Sequence, residues 1–242
     1  MAFNATAVFS PRNAVINVTV SDSLILKVIN NDTLTHGFDI KGYSGINKTI
    51  TEGDSVLVKL AFNKEQVLIY YDNYLYPNGR YMGLAGMICV SKSSNTKNYY
   101  WNLKEHETAY NNKLDTGASV NWNNYEPDYF TINGLSYPDL QNDSTAKVIG
   151  VIGDTMHIFV ANTGQSAHSI HFHGFHCKVL ASNDPTQIGR VKDTFPLKSM
   201  DAMLLEMVPD KVGQYSVHDH NLVAVSGGSK HPNGMFMIMK IK

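Results

Sequence analysis

The stretch on which the interpretation of this sequence depends is Ala167-His168-Ser169-Ile170-His171-Phe172-His173-Gly174, followed about fifty residues later by Val217-His218-Asp219-His220-Asn221. Successive side chains of a β-strand point to opposite faces, so His171 and His173 share one face, as do His218 and His220. If the two strands are neighbours, four imidazoles converge on one patch. Structural histidines that alternate by chance are the alternative. Imidazole is a common ligand of copper and zinc, so the pattern predicts a metal site.

Composition excludes several classes of protein. The chain has 242 residues with a formal net charge of −1, from 20 basic and 21 acidic residues, which gives no support to a nucleic-acid partner. No apolar run approaches the roughly 18 residues of a membrane span. Cys89 and Cys177 lie in apolar segments and are predicted to be buried thiols. If the protein is exported, its signal peptide has been removed.

Short apolar and β-branched segments recur about every ten residues, with turn signals between them. This spacing predicts an all-β protein built from two tandem β-sandwich domains, over residues 1–95 and 126–242. The polar segment 96–125 between them is predicted to be a linker that holds a strand running into a helical turn. Within it, Glu105, His106 and Glu107 are consecutive, so they cannot all face one metal and are expected to be solvated.

The two halves are copies of one unit. His36 to Gly42 aligns with His168 to Gly174 at an offset of 132, and the segment 70–73 aligns with 218–221 at an offset of 148. The difference of 16 indicates an insertion in the second copy around residues 181–194, and a repeat of this size predicts two domains of one fold. Four residues of the first copy occupy the positions of the four alternating histidines: Asp39, Lys41, Tyr70 and Asp72. The first copy therefore supplies no imidazole at these positions.

The chain resembles, over nearly its whole length, the two-domain members of the multicopper oxidase and cupredoxin superfamily, which include laccase-like and nitrite-reductase-like proteins. His168 to Gly174 resembles the His-x-x-His-x-His-Gly strand of that family, and Tyr215 to His220 resembles its His-Cys-His strand. The segment 130–138 resembles the opening of a family domain. The resemblance implies two Greek-key cupredoxin-like sandwiches. It implies copper ligands at five positions: His168 on the type 1 side, His171 on the type 2 side, and His173, His218 and His220 at the type 3 pair.

The sequence departs from the family where the type 1 copper would be. Asp219 stands in place of the cysteine, and a carboxylate cannot form the copper–thiolate bond. Asp219 could serve the flanking histidines as a proton relay or as a partner of the ligands, but alternation points it away from them. This favours either a buried structural carboxylate or a ligand on the type 1 side. The histidine expected five residues later falls on Ala224. Either His231 and Met235 supply a remnant site with Asp219, or His231 is a loop residue and Met235 belongs to the core.

The resemblance also implies a homotrimer in which the histidine cluster faces the first domain of a neighbouring subunit. The four histidines would then face the four substituted residues, and Asp39 and Asp72 could complete the site. Lys41 would oppose a crowded cluster of dications. We therefore predict one type 2-like copper held by three or four histidines near a subunit interface. Zinc is the alternative metal, because availability also decides which ion is bound.

Three functions follow from this prediction. The first is a secreted or periplasmic copper oxidoreductase that acts on a small substrate, such as oxygen, nitrite, nitric oxide or a small reductant, directly at the copper. The second is non-catalytic copper binding, storage or delivery, for which the ten methionines of the chain are relevant. The third is a scaffold without metal, which the retained histidines disfavour. Whether the protein turns over a substrate stays open at this point.

Overall fold

The computed structural model describes residues 1–92, 96–226 and 230–242, and the chain divides into two units, Met1–Ser93 and Ser94–Lys242. Strands dominate both units, which confirms the predicted all-β fold. Neither unit has a helix among its described residues with the length and apolar character needed to cross a membrane.

The first unit is built from short strands. These strands are β1 (Val15–Thr19), β2 (Ser23–Ile29), β3 (His36–Ile40), β4 (Lys48–Ile50), β5 (Ser55–Ala61), β6 (Gln66–Tyr71) and β7 (Ala85–Ser91). Strands β2 and β5 alternate more buried with exposed side chains, while β6 and β7 are buried along most of their length. One sheet has the order β1-β7-β6-β3-β4, and β2 pairs antiparallel with β5. A short helix, α1 (Asn78–Met82), follows β6. Apolar side chains such as Phe38, Val58 and Tyr70 form the core of the unit.

The second unit repeats this plan with longer sheets. Its strands are β8 (Lys97–His106), β9 (Tyr129–Ile132), β10 (Ile149–Gly150), β11 (Met156–Asn162), β12 (His168–Phe172), β13 (Cys177–Ser182), β14 (Val191–Lys192), β15 (Thr194–Leu197), β16 (Ala202–Met207), β17 (Gly213–Asp219) and β18 (Phe236–Ile241). Helix α2 (Thr108–Asp115) follows β8. The sheet orders are β10-β18-β17-β12-β15 and β14-β13-β16-β11-β8-β9.

Large apolar side chains fill the core of the second unit. Trp101 of β8 stacks on Phe172 of β12 with ring centroids 5.5 Å apart, and both side chains are buried. Since β8 and β12 belong to different sheets, this contact packs one sheet on the other. An aromatic pair of this kind adds about 0.5–1.5 kcal/mol beyond the area it buries.

The segment 96–125, predicted to be a linker, belongs to the second unit. Its strand β8 runs parallel to β11 from Met156 opposite Lys97 to Asn162 opposite Leu103, inside the six-stranded sheet. The predicted order of a strand followed by a helical turn is confirmed by β8 and α2. Asn98, Asn102 and Lys104 of β8 alternate with the buried Tyr99, Trp101 and Leu103, which gives the segment its polar composition.

Two asparagines show that the units are copies. The Asn30 side chain, at the end of β2, donates to a carbonyl four residues ahead at 2.7 Å and to a second carbonyl at 3.0 Å. Asn162, at the end of β11, makes the same pair of bonds at 2.8 Å and 3.1 Å. Each side-chain oxygen also accepts from the backbone N–H two residues ahead. Strand β2 is therefore the counterpart of β11.

Candidate metal centre

The two histidine-rich strands are neighbours. β12 pairs antiparallel with β17, which places His171 opposite His218 and Ile170 opposite Asp219. Alternation turns His171 and His218 to one side of this sheet. It turns His168 and Asp219 to the other side, into the core, where both are buried.

The outward histidines form one cluster of rings. The His171 ring lies centrally, with centroids 4.7 Å from His173, 5.7 Å from His218 and 5.6 Å from His220. His173 and His218 are 5.1 Å apart between centroids. The structure therefore brings together four of the five predicted ligands. We call this set, His171, His173, His218 and His220, the histidine cluster.

Hydrogen bonds determine which nitrogen of His171 carries the proton. The Thr194 hydroxyl donates to the Asp193 carboxylate at 3.0 Å, because a carboxylate can only accept. The Thr194 oxygen lies 2.9 Å from Nδ1 of His171 and must then accept from it. Nδ1 of His171 is thus protonated, and Nε2 carries the lone pair. A hydrogen bond of this kind orients a metal-ligating imidazole.

His218 has the same tautomer. Its Nδ1 donates to the backbone carbonyl oxygen of Asp219 at 2.8 Å, which leaves the lone pair on Nε2. That Nε2 lies 3.0 Å from Nε2 of His173. Partial burial lowers the pKa of His173, and the neighbouring rings of His171 and His218 lower it further. The neutral ring, which can bind a metal, is therefore favoured at His173.

The histidine cluster fits a copper ion by its donor set. Within the described ranges no three His, Cys, Asp or Glu side chains already surround one point as metal ligands do, so a bound ion must draw the rings inward. The 3.0 Å between Nε2 of His173 and Nε2 of His218 is a spacing that two nitrogens of one ion adopt, with bonds of about 2.0 Å. Imidazole ligands suit copper.

His168 lies in a different environment from the cluster. Its Nδ1 is 2.5 Å from Oδ2 of Asp219, and its Nε2 is 2.8 Å from Oε2 of Glu105. All three side chains are buried, with His168 only 1% exposed and both carboxylates 0% exposed. We call Glu105, His168 and Asp219 the buried triad. Both ring nitrogens of His168 are bound to carboxylates, so neither is left for a metal, and the predicted ligand role on the type 1 side does not fit this geometry.

Glu105 was expected to be solvated, and the structure shows that this expectation is wrong. Besides the contact with His168, Oε1 of Glu105 accepts from the backbone N–H groups of Gln165 and Ser166 at 2.7 Å each. A side chain at position 164 would overlap this carboxylate, which explains the glycine there. The signal that identifies Glu105 is the alternation of β8, because it follows Leu103 on the buried face.

Asp219, Met235 and Cys177, the described residues that bear on a type 1 site, each have another environment. Both oxygens of Asp219 are engaged, since Oδ1 accepts from the N–H groups of Ser169 and Asn221. Of the two predicted roles, the structure agrees with the buried structural carboxylate. Met235 is fully buried in the apolar core, as the alternative prediction of a core residue has it. Cys177 is buried in β13, as predicted, and burial raises the pKa of its thiol.

The buried triad predicts a pH dependence of stability. Burial alone lowers the pKa of His168, but the hydrogen bonds with Asp219 and Glu105 outweigh it and raise the pKa from 6.5 to about 9. Because the pKa of His168 is raised in the folded state, its contribution to the free energy of unfolding is fully present below pH 6.5. This contribution is lost as the pH rises through 9. The second unit should lose on the order of 3 kcal/mol across this range.

Urea unfolding at several pH values between 6 and 9 measures this effect through tryptophan fluorescence. Both tryptophans of the chain, Trp101 and Trp122, lie in the second unit, so the signal reports that unit. Glu105→Gln removes one of the two negative partners and should move the decline to lower pH. Stability that stays constant from pH 6 to 9 would contradict a charged His168.

The first unit contains a smaller version of the buried triad. Nδ1 of His36 lies 2.9 Å from Oδ2 of Asp72, which is fully buried and also accepts from backbone N–H groups. The hydrogen bond with Asp72 raises the pKa of His36. Asp72 thus does for His36 what Asp219 does for His168, at an offset of 147 rather than the predicted 148.

The strand pairs support this corrected register. Asp39 lies opposite Tyr71 in the first unit, as His171 lies opposite His218 in the second. The counterparts of the histidine cluster are therefore Asp39, Lys41, Tyr71 and Asn73. The Tyr71 hydroxyl donates to Oδ2 of Asp39 at 3.3 Å, where the second unit has two imidazoles. The predicted facing residues Tyr70 and Asp72 are buried in their own unit, so Asp72 is not available to complete a neighbour's site.

Comparison with known proteins places the chain in a family. The multicopper oxidase family model matches residues 105–237, more than half of the chain, and this match includes all of the buried triad and the histidine cluster. The chain belongs to the multicopper oxidase family. The resemblance inferred from the histidine motifs is thereby confirmed. A search of curated proteins found no match to the chain.

Solved structures of similar fold support the cupredoxin-like architecture. The chain is similar to a blue copper oxidase from Nitrosomonas europaea at 21% identity and a TM-score of 0.79, covering 96% of this chain and 76% of that one. It is similar to a multicopper oxidase called mgLAC at 22% identity and a TM-score of 0.76, covering 95% of this chain and 77% of that one. It is also similar to a copper nitrite reductase from Nitrosomonas europaea at 16% identity and a TM-score of 0.74, covering 96% of this chain and 83% of that one.

Proposed function

We propose that the histidine cluster of the second unit binds one copper ion and that the protein is an oxidoreductase acting on a small substrate at that copper. The observation that carries the proposal is the set of four contacting imidazoles, two of which have Nδ1 bound to an oxygen, which leaves the lone pair on Nε2. Copper is favoured over zinc, because the chain belongs to the multicopper oxidases.

Such a copper ion, when bound, exchanges single electrons with a substrate that reaches it. The chain's own groups determine which molecules can reach the copper and which nitrogen of each ligand ring carries a proton. His173 and His220 are exposed, so small molecules have access from solvent. Thr194 and Asp193 keep the proton on Nδ1 of His171. The hydrogen bond from Thr194 lowers the pKa of Asp193, which keeps this carboxylate ionised beside the ring.

A type 1 centre does not take part in this proposal. Asp219 holds the position of its thiolate, and in the buried triad the ring of His168 lies between the carboxylates of Asp219 and Glu105. Electrons therefore have no copper–thiolate relay through which to enter from a remote site. This supports small substrates that bind at the cluster over bulky phenols that react at a distance.

The methionines give little support to the alternative of copper storage or delivery. Met203, Met207, Met235, Met237 and Met239 are all buried in the apolar core of the second unit. Thioethers enclosed in a packed core are not available to capture copper(I) from solvent. We therefore retain the oxidoreductase as the proposed function.

Turnover measurements test the proposal. Copper-loaded protein should consume oxygen or nitrite with a small organic reductant, and His171→Ala should abolish this activity. His176→Ala is the matched control, since His176 is an exposed histidine of the same stretch outside the cluster. Copper binding without turnover of any small substrate would support the storage function instead. Rapid oxidation of bulky phenols would contradict the absence of a remote electron-entry site.

We also propose an extracytoplasmic homotrimer with the cluster near a subunit interface. The support is the exposed apolar surface that follows His220, where Leu222 is 73% and Val223 57% exposed. Exposed apolar patches of this kind mark interaction surfaces. Light scattering should give three times the chain mass of 26.9 kDa.

The Thr194 hydroxyl provides a sharper prediction about the site. Thr194→Val preserves shape but cannot accept the proton of His171 Nδ1, so the ring loses its fixed orientation. Copper affinity should fall by about 10–100-fold. A competition titration against a copper chelator measures the change. Thr186→Val, on an exposed turn, is the control and should bind copper as the unaltered protein does. Equal affinities for the two variants would contradict the role of Thr194.

A further inference from the structure

The ring of Phe236 stacks on one ring of the histidine cluster. Phe236 begins β18 and lies directly opposite His218 of β17, so the two side chains share the outer face of the sheet. Their ring centroids are 6.1 Å apart, and the ring planes differ by only 17°. Aromatic rings at this spacing attract each other in an offset stack. One face of the His218 ring is therefore held against an apolar partner.

Two further rings hold Phe236 in place. The ring of Tyr137 meets it edge-on, with centroids 5.1 Å apart and ring planes at 84°. The backbone N–H of Tyr137 donates to the carbonyl of Gly234 at 2.9 Å, which ties Tyr137 to the start of β18. The ring of His231 also meets Phe236 edge-on, at 6.0 Å and 75°. Nδ1 of His231 donates to the Val225 carbonyl at 3.1 Å, so this ring is anchored as well.

The rings of the cluster differ in how they are held. Nδ1 of His171 donates to a side chain of another strand, the Thr194 hydroxyl of β15. Nδ1 of His218 donates instead to the carbonyl of the adjacent residue, Asp219. A bond to the adjacent residue moves with the same strand, so it restrains the tilt of the ring less than a contact from another strand does. Phe236 of β18 supplies such a contact to His218.

We propose that Phe236 is a positioning residue for the copper site and that its ring fixes the tilt of His218. In this tilt, Nε2 of His218 lies 3.0 Å from Nε2 of His173. A ligand ring that is oriented before the ion arrives loses less freedom when it binds. Phe236 has no atom that ligates copper, so it acts only through His218. Its role depends on the proposed function, because His218 is a ligand only if the cluster binds copper.

Nuclear magnetic resonance of copper-free protein labelled with nitrogen-15 tests the positioning directly. At a pH where the imidazoles are neutral, the ring nitrogens of His171 and His218 should each show one tautomer, protonated on Nδ1. Phe236→Leu should give a mixture of tautomers at His218, because the freed ring leaves the Asp219 carbonyl. His171 should stay unchanged, since Thr194 anchors it. Phe236→Tyr keeps the aromatic ring and should restore the single tautomer at His218.

Competition against a copper chelator measures the consequence for binding. Phe236→Leu should lower the affinity for copper by about tenfold, at the low end of the effect of groups that only orient a ligand. Phe236→Tyr should bind copper as tightly as the unaltered protein. Ile238→Ala is the matched control, because Ile238 lies on the same face of β18 but opposite Ser216 rather than a histidine. It should leave both the copper affinity and the tautomer of His218 unchanged.

Several results would overturn the role of Phe236. One is a single tautomer at His218 in Phe236→Leu, and another is a copper affinity of this variant equal to that of Ile238→Ala. Equal losses of affinity in Phe236→Leu and Phe236→Tyr would show that the ring itself is not what matters. If Phe236→Leu does not fold, Tyr137→Leu removes one edge contact from Phe236 and should give smaller changes of the same kind, and no change there would contradict the proposal.

The two measurements separate this role from the proposed function. An unaltered protein that does not bind copper would contradict the proposed function. The tautomers are measured without copper, so they report on the contact between Phe236 and His218 in either case.

Discussion

Replacing His168 with leucine should destabilise the second unit by about 3–5 kcal/mol, which is the usual cost of removing one member of a buried ion pair. The substitution leaves the carboxylates of Glu105 and Asp219 buried and facing each other without the imidazolium between them. Burial raises the free energy of both charges, and their mutual repulsion adds to it. This is the largest effect on stability that we expect from a single substitution in the second unit.

Urea unfolding followed by tryptophan fluorescence measures the loss in the second unit. His157→Leu is the matched control, because His157 is a buried histidine of the same unit whose nearest carboxylate, Glu206, is 3.5 Å away. His157→Leu should lower the free energy of unfolding much less than His168→Leu does. The combination of His168→Leu with Glu105→Gln and Asp219→Asn should recover part of the loss, since no charge is then left unpaired. Equal losses for His168→Leu and His157→Leu would contradict the charged triad.

Replacing His171 with alanine should have the largest effect on copper binding. The ring of His171 lies 4.7 to 5.7 Å, between centroids, from each of the other three rings of the cluster. Its loss removes a ligand and the ring that the others pack against. Loss of a group that only orients a ligand typically lowers metal affinity by about 10–100-fold. We expect a larger fall in copper affinity for His171→Ala.

Competition against a copper chelator, with His176→Ala as control, tests this prediction. The unfolding curve of His171→Ala without copper should match that of the unaltered protein closely, because His171 lies on the outer side of its sheet and is partly exposed. A variant that binds copper as tightly as the control would show that the ion is held elsewhere. A variant that fails to fold would be replaced by His171→Gln, which keeps a polar side chain at the position.

Alternation made most of the fold and the cluster predictable from the sequence. The period of two in β12 and β17 separates His171 and His218 from His168 and Asp219, and the structure keeps that separation. The spacing of strands and turns predicted both sandwiches. What it could not provide was the assignment of β8, because a strand with polar residues on one face resembles a linker when no partner strand is known.

The register of the repeat shows a second limit of the sequence. Matching Asn73 with Asn221 gives an offset of 148, whereas the structure matches Asp72 with Asp219 at 147. A slip of one residue moves every side chain to the opposite face. The error therefore turned a carboxylate buried against His36 into a predicted surface ligand. Only the strand pairs and the His–Asp bonds, which join residues distant in sequence, correct it.

Glu105 was missed for a similar reason. Its partner His168 is 63 residues away, and nothing local marks a glutamate as buried. The alternation of Tyr99, Trp101 and Leu103 places it on the inner face once β8 is known to be a central strand. The buried triad is thus a tertiary feature, and so is the engagement of both ring nitrogens of His168 by carboxylates.

The most direct test of the account is the copper content and spectrum of the purified protein after loading with copper and removal of the excess. We predict one copper ion per chain, bound by nitrogen ligands as seen in its electron paramagnetic resonance, and no intense visible absorption of a copper–thiolate bond. His171→Ala should lose this ion. Two or three copper ions per chain, or a copper–thiolate band, would contradict a single site built from the histidine cluster.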